Sequence, residues 1–286
     1  MKKEYTEEIR GFHTLWTAPY FTQNTSGTYN MQDYELLTMI LSALMWRKMN
    51  GPITLYGDER AIDYIHKNKI DHIWNGGIEE IKVPDEISPR VFWAAGKLFA
   101  LKRAQMPAVM VDLDLIVWKN IGSYIDGTDV SAIHREGIYP DVYPGREFFN
   151  MRKGYEFDPE WSWDAPPVNT CMLYIADEFF KKYYVDSSIG FMENCMETEE
   201  NLCHMVFAEQ RLLAMCAEKC GKMISSFFPE AADISRQDVF THLWGYKNIL
   251  KFNFQKRVEY NNRLCERIER DFPEEAHILG ELNVCG

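Results

Sequence analysis

The stretch "PAVMVDLDLIVW", residues 107 to 118, sets Asp112 and Asp114 one residue apart at the exit of a strongly apolar run. In an extended segment, side chains two residues apart point to the same side, so the pair can converge on one point unless the strand bends between them. Two carboxylates that close repel each other unless one takes a proton or a cation sits between them. A hard divalent ion such as Mn2+ or Mg2+ prefers oxygen ligands, resolves the repulsion and stays open to phosphate oxygens. A plainer role, two aspartates capping or solvating a strand end, also fits the spacing, although the apolar "AVMV" in front favours the metal site.

The elements that must position this pair are legible as alternating strand-like and helix-like periods, with no internal repeat. Strands are expected at "FHTLWT" (12–17), "ITLYGD" (53–58), "AVMVDLD" (108–114), "DVSAIHR" (129–135) and "PVNTCMLYI" (167–175), with short ones near "KMISSF" and "DVFTHL". Helices are expected over 31–49, 59–68, 89–104, about 177–196 and 205–220, and in a charged C-terminal segment. The 89–104 helix carries Pro89 near its first turn and basic residues in its last. Strands alternating with helices of these lengths predict an α/β fold, a mainly parallel central sheet flanked by helices. Ligands on such sheets sit at the carboxyl ends of the strands, where the two aspartates fall.

Length and composition bound the alternatives. The 286 residues suffice for one sizeable core, and the expectation is one domain over 1–286. Hydrophobic residues make up 46% and charged residues 26%, the balance of a globular chain. With 31 basic and 43 acidic residues the net charge is −12, a field that repels phosphate backbones and argues against nucleic acid as partner. The opening "MKKEYTEEIRGF" carries charges where an export signal needs an apolar core, and the longest apolar stretch, "LLTMILSALMW", is too short to span a bilayer. A cytoplasmic location is therefore expected, with no transmembrane segment. The seven cysteines are scattered and include no CxxC pair; Cys216 and Cys220 lie one helical turn apart without a His pair to complete a zinc site. Reduced structural cysteines are the expectation.

Two enzyme classes use an apolar strand ending in DxD. In a haloacid dehalogenase type phosphohydrolase the first Asp, here Asp112, would attack phosphorus. Such a motif usually opens its chain, whereas about a hundred residues precede it here, and no later paired acidic motif follows. In a nucleotide-sugar glycosyltransferase a DxD-bound metal bridges the donor diphosphate.

From Trp16 to Lys247 the chain resembles the glycogenin-like and galactosyltransferase-like (family 8 type) enzymes of the GT-A fold. The landmarks occur in order: "LWTAPY" with "MQDYELLTMILSALMW", "GKLFAL", "VMVDLDLIV", "VNTCMLYI", and "FAEQRLL" followed by "THLWGYK", an acidic-Gln pair and a His-x-x-Gly-x-Lys element. Asn248 and Ile249 stand where that element continues with Pro and Trp, and Cys171 stands where the family has Gly or Ala. The resemblance implies a single Rossmann-like GT-A domain whose donor-binding half covers about 10–135 and whose acceptor loop and C-terminal half cover about 136–286. It implies metal-dependent transfer of a hexose, with retention, from a nucleotide-sugar donor, UDP first among the nucleotides, to a glycan or small-molecule acceptor.

Carried over residue by residue, the resemblance places Asp112, Asp114 and His242 on Mn2+ or Mg2+. It assigns Thr17, Ala18 and Tyr20 to the nucleotide, and Lys97, Asp112, Leu113, Gly245 and Lys247 to the rest of the donor. Asn169, Glu209 and Gln210 would orient the transferred sugar. The chemistry is coherent: an imidazole and two carboxylates suit manganese, Gly245 would let backbone approach the diphosphate, and two lysines would neutralise it. At about 4 Å and an effective dielectric near 20, each such charge pair is worth about 4 kcal/mol before desolvation. Plainer roles stay open: an ordinary half-buried His242, a solvated Lys97, an Asn169 capping its strand, and Glu209 and Gln210 on an exposed helix face. A non-catalytic nucleotide-sugar or glycan-binding relative would carry the same landmarks. The aromatic, aperiodic 137–167 stretch is long enough to be functional, holding an acceptor or covering the donor, or else a packed surface loop.

Overall fold

A computed structural model describes residues 8–24, 27–229 and 237–282. The strands are β1 (Gly11–Leu15), β2 (Ile53–Gly57), β3 (Ile78–Glu80), β4 (Ala108–Val111), β5 (Leu115–Val117), β6 (Val130–Ala132), β7 (Met172–Ile175), β8 (Ile224–Ser226) and β9 (Phe240–His242). The helices are α1 (Ala18–Phe21), α2 (Asp33–Met49), α3 (Glu59–Lys67), α4 (Ala95–Arg103), α5 (Gly122–Ile125), α6 (Glu178–Asn194), α7 (Leu202–Val206), α8 (Leu212–Lys219), α9 (Tyr246–Phe252), α10 (Phe254–Asp271) and α11 (His277–Leu282).

Among the described residues, seven strands form the central sheet in the order β3-β2-β1-β4-β7-β6-β8. All neighbouring pairs are parallel except β4 with β7 and β7 with β6. The α/β architecture, mainly parallel sheet, flanking helices and C-terminal helix read from the sequence are present, with β7 running against its neighbours. Helices cover both faces. Alternation along β4 sends Val109 and Val111 into a core with α2 and α10, and Ala108 and Met110 into a core with α4, α6 and α8.

Helix α2 is apolar all round because it is enclosed: Leu37, Met39, Ile40 and Leu41 have no exposed surface. A capping box closes its start, the Gln32 side chain taking the N3 amide and Glu35 reaching back to the Gln32 amide. No helix among the described residues is long and apolar enough to cross a membrane.

Three local expectations are corrected. Helix α4 begins at Ala95, not near Pro89, because residues 88–94 form successive turns that sink Val91 and Phe92 into the second core. Asp112 and Asp114 do not share an extended strand: β4 ends at Val111, and the Leu115 amide donates to the Asp112 carbonyl at 3.0 Å, closing a turn. The cysteines are not all reduced, since Cys265 is disulfide-bonded, while Cys171, Cys195, Cys203, Cys216 and Cys220 are free.

Candidate active site

After the turn at Asp112 the chain reverses into β5, which leaves the main sheet and pairs antiparallel with β9, Leu115 opposite His242. This two-stranded ribbon carries the imidazole beside the aspartate turn, and the Leu243 amide donates to the Asp114 carbonyl at 3.0 Å. One oxygen of Asp112, one of Asp114 and one ring nitrogen of His242 all lie within 4.8 Å of one another. All three line a cleft of about 680 Å³ at the carboxyl ends of β1 and β4.

Lys97 reaches the site from the first turns of α4, whose approach to the end of β1 depends on Gly96. A Cβ there would lie 2.6 Å from Trp16 Cβ, so a larger residue would push the helix outward. Lys97 Nζ sits 2.5 Å from Asp112 Oδ1 and 2.9 Å from Glu209 Oε1. The Asp112 contact is a close, buried ion pair that Lys97 shares with Glu209. A divalent cation would take this Asp112 oxygen by displacing the Lys97 ammonium from it. Across the turn, Lys247 Nζ lies 2.8 Å from Asp114 Oδ2, and His242 Nε2 lies 3.4 Å from Asp114 Oδ1.

Electrostatics separate the two carboxyls. Burial holds the Asp112 carboxyl above its ordinary range, and the charges of Asp114 and Glu209 reinforce this against the pull of Lys97. Burial also works upward on Asp114, but His242 and Lys247 outweigh it and hold that carboxyl well below the usual range. For Lys97, burial opposes the charge and the Asp112 and Glu209 carboxylates more than restore it, raising its pKa. A carboxyl pushed upward by burial and like charge is a group that a divalent cation would relieve. The oxygen, oxygen and imidazole donor set, converging within 4.8 Å, fits Mn2+ or Mg2+.

Glu209 and Gln210 stand on a π-helical turn, Phe207–Arg211, between α7 and α8. Such turns widen a helix by a residue and recur at functional sites. Here the turn aims Glu209 inward, where it also accepts a 2.9 Å hydrogen bond from Thr170 Oγ1 while its carbonyl accepts one from Tyr184 at 2.6 Å. Gln210 Oε1 accepts from the Tyr143 hydroxyl at 2.6 Å. Arg211, buried, donates to the carbonyls of Tyr143 at 2.7 Å and Pro144 at 2.8 Å and to that of Trp163, tying the 137–167 segment to this turn. Asn169 lines the cleft, with its Oδ1 accepting from the Cys171 amide and its amide group 3.5 Å from Glu136.

Of the residues singled out in the sequence, the cleft gathers Lys97, Asp112, Leu113, Asp114, Asn169, Glu209, Gln210, His242 and Lys247. It is not lined by Thr17, Ala18, Tyr20 or Gly245. Thr17 is fully buried and spends its amide and hydroxyl on the Asp58 carboxylate, which also caps α3. Tyr20 packs edge-on against Phe21 and Tyr29, and Gly245 has ordinary helical torsions. The aromatic segment divides: Phe149, Phe157 and Trp161 sink into the second core, and Tyr139, Val142 and Tyr143 face the cleft. Sequence reasoning passed over Trp93, Glu136 and Trp244, which also line the cleft. Trp244 lay inside the quoted "THLWGYK" element, and its position between His242 and Lys247 was the available signal.

Among solved structures, the chain is similar to mouse xyloside xylosyltransferase 1 in apo form, at 10% identity and a TM-score of 0.40 over 77% of this chain and 85% of that one. It is similar to HddC from Yersinia pseudotuberculosis at 10% identity and 0.41, over 85% and 97% of the two chains. It is similar also to the glycosyltransferase GlyE of Streptococcus pneumoniae TIGR4 at 13% identity and 0.35, over 78% and 46%. No protein of curated function matches the sequence. Residues 9–281 match the family described as "Family of unknown function (DUF6734)", and the chain belongs to that family.

Proposed function

We propose that this chain is a metal-dependent glycosyltransferase of GT-A architecture that moves a hexose from a nucleoside diphosphate sugar, UDP first among the candidates, to a glycan or small-molecule acceptor. One observation carries the reading: Asp112, Asp114 and His242 converge within 4.8 Å, in a cleft that also holds Lys97 and Lys247. Asp112, Asp114 and His242 would hold Mn2+ or Mg2+, which when bound supplies a Lewis acid for a diphosphate leaving group.

The chain's own residues then have distinct tasks. Lys97 and Lys247, each now on a carboxylate, are the cations available to phosphate oxygens once those carboxylates turn to a metal. Glu209, fixed by Thr170 and Lys97, and Gln210, fixed by Tyr143, present an acidic and an amide group to the transferred sugar. Asn169 adds a third polar group on the same wall. Tyr139 and Trp244, exposed beside the cleft, offer aromatic faces to sugar rings.

The test is thermal shift with UDP, GDP and their sugars, with and without Mn2+, followed by turnover on a donor panel. Stabilisation that needs both metal and diphosphate, and that disappears in Asp114→Ala, supports the reading. An equal response in Asp114→Ala sinks it. Donor binding without turnover identifies a non-catalytic relative, and a phospho-aspartate at Asp112 identifies a phosphohydrolase instead.

A further inference from the structure

The corner where α9 meets α10 exposes what a folded chain normally hides. Phe252 and Phe254 are 81% and 79% exposed, and Trp244, just before α9, is 78% exposed. Their exposure is imposed by the backbone. Asn253, non-helical, separates the two helices and its side chain caps α10 by accepting from the Lys256 amide at 3.0 Å. The inward anchors of the corner are Leu250 and Tyr260, both buried, so the intervening residues 251–256 project outward.

The charge at this apolar tip is basic as far as Val258, with Glu259 on the next turn of α10 held by Gln255 at 3.1 Å. Residues 244–258, "WGYKNILKFNFQKRV", contain four basic and no acidic residues in a chain of net charge −12. Lys247 is engaged by Asp114 and Arg257 by Asp33, which leaves Lys251 and Lys256, both exposed, at the base of the phenylalanines. Lys251 lies 5.6 Å from the centre of the Phe252 ring. Aromatic rings at a projecting tip with lysines behind them match an interface that is apolar inside and anionic at its surface. A second copy of this chain meeting the corner by two-fold symmetry would instead bring its own Lys251 and Lys256 against these.

We infer that this corner docks the protein peripherally on an anionic lipid bilayer, Phe252 and Phe254 entering the headgroup boundary and Lys251 and Lys256 pairing with lipid phosphates. Trp244, exposed at the other end of α9, lines the cleft, so docking at this corner would hold the site one short helix away from the membrane. The inference does not depend on the transferase reading, since it needs neither metal nor donor.

The experiment is co-sedimentation of the full chain with phosphatidylcholine vesicles, with and without phosphatidylglycerol, at low and high salt. Binding is expected only with phosphatidylglycerol, and to weaken as salt screens the lysines. Phe252→Ser with Phe254→Ser is expected to weaken partitioning by about tenfold or more. Lys251→Glu with Lys256→Glu is expected to do so by about fivefold or more. Both pairs are surface changes, and an unchanged Tm confirms intact folding. Absence of binding, equal binding to uncharged vesicles, or binding indifferent to both variant pairs overturns the inference. So does a wild-type dimer that the phenylalanine pair dissociates without altering sedimentation, which would make the corner a contact between copies.

Discussion

The two aspartates of the turn sit only one residue apart but belong to differently built halves of the site. Asp112 faces Lys97 and Glu209, whose side chains are 21% and 6% exposed and rise from α4 and from the π turn of the second core. Asp114 faces His242 and Lys247, 26% and 39% exposed, carried by the β5–β9 ribbon and α9. A two-stranded ribbon is barely stable alone, and this one persists because Ile116, Val117 and Phe240 are buried in the first core. The contrast teaches a difference of degree: on the proposed reading both lysines would exchange an aspartate for ligand, but Lys97 keeps Glu209 as a second, buried partner and so stays part of the folding core, whereas Lys247 pairs with Asp114 nearer solvent.

The sharpest way to break that comparison is Glu209→Ala. It removes a buried acceptor shared by Lys97 and Thr170 and leaves the enclosed ammonium with Asp112 alone. Removing one partner of a buried pair costs about 3 kcal/mol or more, and urea unfolding should show a loss of that order. Glu209→Gln, which keeps the shape and one acceptor, should lose less. Equal stability in wild type and Glu209→Ala would mean that the Asp112 half is not part of the folding core.

A second prediction concerns what fastens the ribbon to the sheet. His13, fully buried in β1, accepts from Trp74 Nε1 at Nδ1 (3.3 Å), so its proton sits on Nε2 and is donated to Ser42 Oγ (3.1 Å). Ser42 in turn donates to the Leu115 carbonyl at 2.5 Å, linking β1, α2 and β5. Burial, only partly offset by Asp114, pushes the His13 pKa down from 6.5 to about 3. The unfolded chain therefore binds the extra proton, and stability falls as pH drops from 6.5 towards 3. The loss due to this group is about 2 kcal/mol between pH 7.5 and pH 5. Urea titrations at the two pH values should show it, and His13→Gln should flatten the slope; an unaltered slope would locate the acid sensitivity elsewhere.

The same contrast governs what could be read from the sequence. Asp112 was legible because four apolar residues in a row announce a buried strand and an aspartate at its exit is conspicuous. Lys97 and Glu209 were legible as landmark residues, but not their contact with each other, which spans the chain and has no local period. The π turn that aims Glu209 and Gln210 was invisible because its side-chain pattern is that of an ordinary helix. Even less of the ribbon showed. Leu115–Val117 reads as the tail of β4, and nothing nearby indicates that it turns away to pair with Phe240–His242. The antiparallel course of β7 was hidden too, since a strand buried on both faces carries the same apolar run in either direction. Thr17 illustrates the limit of position alone: it stands at the end of β1 as expected, yet its polar atoms are consumed by Asp58.

The smallest stability effect is expected where the ligand effect is largest. Lys247 is partly exposed and pairs with Asp114 near solvent, so Lys247→Ala should cost less than about 1 kcal/mol in urea unfolding. The same change removes a cation available to the diphosphate, so the stabilisation given jointly by Mn2+ and nucleotide should shrink sharply, while the response to Mn2+ alone persists. Glu209→Gln should behave oppositely, keeping the joint stabilisation by metal and nucleotide while turnover falls. If Lys247→Ala instead unfolds at markedly lower urea with its ligand response intact, the Asp114 half is structural, and the difference of degree between the two halves fails. That outcome would also move the role of phosphate cation onto Lys97 alone, whose release from Glu209 would then have to accompany every binding event.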